Sequence, residues 1–147
     1  MRPALRRAGL AAEGLGPEQM QVQATDAGML ATSHPACSTA TDLGAGCLAA
    51  VLGRPRWPDF ALAERARTEG TAAVALAVYR ERGEALLEQM QGNFAFVLID
   101  TRKQHVLLAV DRSGTERLCF VQVGSTLVFS TSARAIAHHP LVAAPVN

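Results

Sequence analysis

Between Leu86 and Pro140, short apolar runs alternate with polar, glycine-containing turns, and this pattern restricts the chain more than anything else in it. The runs are too short for helices that would bury a face, and the turns are too short for parallel crossovers, so an antiparallel meander is the solution they allow. The pattern predicts strands over 93–99, 105–110, 117–122 and 126–130, followed by a helix over 132–138 that Pro140 stops. Gly92 supplies the backbone freedom for a tight entry into the first of these strands, and Phe94 and Phe96, alternating with Ala95, fall on one buried face. Asp111 and Gly114 bracket a turn between strands.

The upstream half serves this core. Residues 3–13 have helical spacing that Gly14 to Pro17 ends. Alternation over 19–24 and 29–31, with Asp26-Ala27-Gly28 between, predicts a hairpin. Residues 32–46 are rich in Ser, Thr, Ala and Gly without periodicity and read as an irregular surface loop. Cys47 to Leu52 is a continuous apolar run and predicts a buried strand, while the prolines at 55 and 58 keep residues 53–59 extended or turned. Asp59 is placed to cap a helix over 60–67. A second helix runs over 71–82 to Gly83 at its C-cap, and 84–89 adds another helical turn or so.

A chain of 147 residues is one domain's worth, able to bury roughly 70% of its unfolded surface in a single core. A net charge of +1, with basic residues that do not cluster with aromatics, argues against a nucleic-acid footprint. Three cysteines without CxxC spacing support neither a disulfide framework nor a zinc site, and no apolar run reaches the ~20 residues of a membrane span. His34, His105, His138 and His139 lack metal-ligand spacing. These features predict a cytoplasmic chain with reduced thiols and no cofactor.

The second half resembles the amino-terminal glutaminase domain of asparagine synthetases, class II glutamine amidotransferases of the N-terminal-nucleophile type. The resemblance rests on Val78-Tyr79-Arg80-Glu81-Arg82-Gly83 and on Leu87-Glu88-Gln89-Met90-Gln91-Gly92-Asn93-Phe94-Ala95-Phe96-Val97-Leu98-Ile99-Asp100. It continues through Leu108-Ala109-Val110-Asp111-Arg112-Ser113-Gly114 and Leu118-Cys119-Phe120, then Leu127-Val128-Phe129-Ser130-Thr131-Ser132-Ala133-Arg134-Ala135-Ile136 and His139-Pro140. It carries over residues 68–140, is thin over 1–67 and leaves 141–147 as a tail of the single domain. It implies an α+β fold, an αββα sandwich of mostly antiparallel strands, with the first strand of the family missing and one edge incomplete.

The resemblance also implies where chemistry belongs. The family's nucleophile is a cysteine that begins the mature chain and uses its own amino group as base. Here Arg2 follows the initiator methionine, and no cysteine lies near the start. The family's glutamine-binding Arg falls near His34, its oxyanion-hole Asn-Gly on Leu52-Gly53, and its substrate-binding Asp on Thr71. Leu52, Gly53 and Thr71 are therefore remnants of a glutamine site without its donor and carboxylate. The family's Arg before Asp111 is Val110 here, so that ion pair cannot form. Tyr79, Gly92, Phe94, Phe96, Asp111 and Gly114 are motif positions that build the sheet. No catalytic residue or metal ligand is assigned.

Of the remaining reactive groups, Cys37 in the Ser/Thr-rich segment is the thiol expected to be most exposed, and Cys47 and Cys119 are expected in the core. Asp100 and Asp111 are expected to cap backbone amides. The leading expectation is a catalytically silent glutaminase-like domain that packs, as a structural or regulatory subunit, on an ATP-dependent amide-forming synthetase. The chain ends at Asn147, leaving no room for that synthetase, so another polypeptide would supply it. Two alternatives stand beside it. One is an active amidotransferase whose start was mis-assigned or whose nucleophile is exposed by cleavage before Cys47. The other is a free-standing interaction module, a homodimer closing a sandwich that one chain cannot complete, since an unpaired edge and an uncovered face invite association.

Overall fold

The computed structural model describes residues 21–24, 29–32 and 36–143. Their architecture is α+β, and every paired strand is antiparallel. The helix expected over 3–13, the turn at 26–28 and His34 lie outside the described residues. The first hairpin forms as the alternation predicts: β1 (Gln21–Ala24) pairs with β2 (Met29–Thr32), Val22 opposite Ala31.

The central sheet has four strands in sequential order, β3 (Cys37–Asp42), β4 (Cys47–Arg56), β5 (Gln91–Asp100) and β6 (His105–Val110). β3 corrects the expectation of a loop over 32–46. Its Ser-Thr-Ala-Thr sequence lacks an apolar/polar alternation, but branched Thr39 and Thr41 suit a pleated backbone, and β4 offers six residues to pair with. β4 in turn outruns the expected 47–52 and continues through Pro55 to Arg56. The missing proline N–H is tolerated there because β3 ends opposite Leu52, leaving the last part of β4 an edge strand on that side.

Between β4 and β5 the chain makes two helices. Asp59 caps α1 (Phe60–Glu69), its carboxylate accepting from the Leu62 amide at 3.1 Å. α2 (Thr71–Arg82) begins at Gly70 and ends at Gly83, whose φ of 60° lets its amide donate back to the Tyr79 carbonyl. A 3-10 helix, Gly83–Gln89, returns the chain to β5. α2 lies against β3 and β4. Cys47, Ala49, Val51, Phe94, Phe96 and Leu98 point to this helical side, together with Val74, Val78, Tyr79 and Leu86. Phe94 and Phe96 thus share a buried face as their spacing requires.

The intervening residues Leu48, Ala50, Val97 and Ile99 point the other way and are equally buried, with Val106, Leu108, Leu118 and Phe129 packed against them. Phe129 belongs to a second hairpin, β7 (Cys119–Val123) and β8 (Thr126–Ser130), against which α3 (Ala133–Ala137) packs. The two central strands are therefore apolar throughout 47–52 and 94–99, where both of their faces are covered. Full burial of a side chain such as Phe96 or Leu48 stabilises the fold by roughly 1.5–3 kcal/mol each. At the end of the chain Pro140 differs from expectation. α3 stops at Ala137, and Pro140 opens another short helix, α4 (Pro140–Ala143), a position where its absent N–H costs nothing. Among the described residues no helix is long and apolar enough to cross a membrane.

Candidate functional site

Each end of the four-stranded sheet gathers polar side chains and glycines at positive φ. At one end, Cys47, Asp100 and His105 lie side by side on β4, β5 and β6. Tyr79 reaches down from α2 and its hydroxyl donates to Asp100 Oδ2 at 3.2 Å, while the Lys103 amide donates to Oδ1 at 3.0 Å. Lys103 Nζ lies 3.7 Å from Oδ2 and 4.9 Å from the centre of the Tyr79 ring, a cation over an aromatic face. Asp42 accepts from the Ala45 amide and pairs with Arg80 at 2.9 Å. The Gly46 carbonyl accepts from both the amide and the hydroxyl of Thr101, at 2.9 and 2.8 Å.

These contacts determine the protonation states. Burial, reinforced by the Asp100 charge, pushes the Tyr79 phenol up to about 12, so it remains a donor. Burial works to raise Asp100 as well, but the amides, the Tyr79 hydroxyl and the Lys103 charge together hold its carboxyl below the usual range. Cys47, 3% exposed, has its thiol pushed up by burial first and by the Asp100 and Asp42 carboxylates next. A protonated, enclosed thiol is a poor nucleophile. Cys37, expected to be the exposed thiol, sits half-buried on β3 opposite Leu52, and Cys119 is half-buried on β7.

The other end holds the positions marked as glutamine-site remnants. Gly53 takes φ 98° opposite Phe94, and a Cβ there would fall 2.5 Å from the Asn93 carbonyl oxygen and 3.2 Å from the Glu116 side chain. Leu52 is half-buried between Cys37 and Ala95. Thr71, the first residue of α2, is joined to the same end through Ser38: the Ser38 hydroxyl accepts from the Ala72 amide at 3.2 Å, and Ser38 pairs with Val51. The structure thus places Leu52, Gly53 and Thr71 at one end of the sheet. Their side chains supply no carboxylate and no amide donor.

Asp111 fixes the loop that closes this end. Its carboxylate, 5% exposed, accepts from the amides of Phe94, Ser113, Thr115 and Glu116 at 3.3, 2.9, 3.1 and 3.2 Å. Burial opposes ionisation there, but the four amides outweigh it and hold the carboxyl below its ordinary value. Gly114 (φ 61°) turns the loop, and Glu116 is carried across to Gly53. Gly92 (φ 86°) opens β5 opposite Pro55. Sequence reasoning missed Ser38, assigned to a loop, and Glu116, because both act through contacts 34 and more residues apart in the chain. The described histidines do not converge: His105 faces Glu84 at 3.4 Å, and His138 and His139 bond within the helical end. Among the described residues no cluster suits a metal ion.

The model of the glutamine amidotransferase domain family matches residues 60–147, more than half of the chain. The chain belongs to that family. The match covers Thr71, Tyr79, Gly92, Phe94, Phe96, Asp111 and Gly114 and begins after Leu52-Gly53. No curated protein matches the chain. Within this glutamine amidotransferase domain, Gly53, Gly92 and Gly114 at positive φ and the amides gathered on the Asp111 carboxylate shape the Gly53 end of the sheet.

Proposed function

We propose that this glutamine amidotransferase domain is catalytically silent, of the asparagine-synthetase type, and serves as a structural or regulatory subunit docked on an ATP-dependent amide-forming synthetase carried by another polypeptide. The observation that carries this reading is the composition of the Gly53 end. Leu52 offers no oxyanion donor, Thr71 offers no carboxylate for the substrate's amino group, and the α2 amide next to it is already bonded to Ser38. Losing one oxyanion donor costs an amidotransferase on the order of 10²–10³ in rate, and removing the substrate carboxylate as well takes away binding. The helix–sheet–hairpin layering is in keeping with an αββα sandwich of the N-terminal-nucleophile class, in which the fold persists as a docking scaffold.

The test is glutamate release from glutamine by the purified chain, alone and with any co-purified partner. We expect none above the blank, and turnover by the chain alone would refute the reading.

One feature favours a second reading, an amidotransferase activated by cleavage before Cys47. Two donors from Thr101 polarise the Gly46 carbonyl, as a peptide about to be attacked would require. The Cys47 sulfur, however, is directed to the Ala45 carbonyl at 3.8 Å and its thiol is protonated. Intact mass decides: cleavage removes residues 1–46, and an uncut chain eliminates this reading.

A further inference from the structure

The central sheet has two edges, and they differ. On β3, Cys37, Thr39 and Thr41, together with the preceding Ala36, are each engaged in a further interaction. β6 pairs with β5 alone, and no further partner engages its outward side among the described residues. Its sequence, His-Val-Leu-Leu-Ala-Val, contains no Pro, Gly, Lys, Asp or Glu; residues 105–109 are half-buried, with 106–109 packed against the two cores, and Val110 is exposed. Val110 is 45% exposed. An uncharged, unbulged apolar edge of this length is a template for another strand.

We propose that β6 pairs antiparallel with β6 of a second copy of this chain, joining two four-stranded sheets into one of eight. The reasoning is independent of whether the domain hydrolyses glutamine. A two-fold axis that makes two edge strands antiparallel stands perpendicular to the sheet. Residues facing each other across it must then point to the same side, so the axis passes through a residue, Leu107 or Leu108, rather than between them. Centred on Leu107, the pairing sets Val110 against polar Gln104. Centred on Leu108, it sets Val106 against Val110 of the second copy and Leu108 against itself, which covers the exposed valine with apolar surface. Leu108 is therefore the axis residue. On the helical side, α2 rests on β3 and β4, and the 3-10 helix meets β6 at the Glu84–His105 pair.

The test is the mass of the full chain by light scattering at micromolar concentration, for the wild type and Val110→Lys, with circular dichroism as the check of folding. The expected result is a wild-type dimer and a folded Val110→Lys monomer. A wild-type monomer would overturn the proposal. Because a lysine substitution can disturb folding, a second measurement reads the register directly. Under mild oxidation Leu108→Cys should form an interchain disulfide, since residue 108 faces itself, while Leu107→Cys should give no more than the wild type with its native thiols. Cross-linking through 107 instead, or a dimer that neither variant affects, would also overturn it.

Discussion

The two ends of the sheet use similar means for different results. At the Asp100 end, buried polar side chains satisfy one another: phenol to carboxylate, carboxylate to amide, carbonyl to threonine. At the Gly53 end side chains hold the backbone in place: a glycine sits at φ 98°, the Ser38 hydroxyl holds a helix start and the Asp111 carboxylate gathers four loop amides. The first end is a lock in which side chains hold elements together. The second is a frame in which Leu52 and Thr71 carry neither a carboxylate nor an amide side chain. Glycine conformations and buried carboxylates are costly to alter, whereas an exposed side chain is not, so the frame is the more constrained part of this end.

The comparison can be broken most forcefully at Gly53. Gly53→Ala adds a Cβ at 2.5 Å from a backbone oxygen in a conformation that L-residues avoid, and we expect a loss of about 3 kcal/mol or more in urea unfolding. Gly83→Ala, also at positive φ but with open space around it, carries the backbone penalty alone and should lose less, about 1–3 kcal/mol. Equal losses would mean that the crowding at Gly53 is not a constraint.

At the lock, Asp100→Ala strands the Tyr79 hydroxyl in a buried site, and should cost about 2–3 kcal/mol against about 1 kcal/mol for Tyr79→Phe, which leaves the Lys103 amide bonded. Both Asp100 and Asp111 have carboxyls held below their unfolded values. Their contribution is therefore complete above the unfolded carboxylate range and is lost as pH falls through the folded values. Thermal melts should show stability declining below about pH 4, and the Asp100→Asn variant should flatten that decline. A profile unchanged by the substitution would remove Asp100 from the account.

Smaller effects separate frame from chemistry. Ser38→Ala removes the acceptor at the start of α2 and should cost about 1 kcal/mol, the usual worth of such a cap. Thr71→Asp places a carboxylate in the first turn of that helix. It should change stability by only about 0.3–1 kcal/mol in the stabilising direction, and glutamate release should remain at the blank. Detectable turnover from that variant would show that the frame retains more of the site than Leu52 permits.

Much of this was legible from residues alone. The apolar runs of β4 and β5 declare themselves because two covered faces require uninterrupted apolar residues, and α2 because Gly83 closes a run of good helix formers. β3 was not legible: an edge strand of Ser, Thr and Ala has its place decided by its neighbour β4, a long-range term that periodicity does not contain. Likewise Leu52, Gly53 and Thr71 were identified through a family resemblance, but that Ser38 links them and Glu116 covers Gly53 follows only from the pairing of β3 with β4 and the path of the Asp111 loop. Pro140 misled for a local reason, since the same ring that cannot continue one helix is well suited to begin the next.

The most direct measurement of the central claim is an amide chemical-shift titration of the full chain with glutamine, following Ser38, Gly53 and Ala72 at one end and Lys103 at the other. The account predicts that none of the four moves saturably. Saturable shifts at Gly53 and Ala72 with Lys103 unmoved would show a working glutamine site on the frame and contradict it.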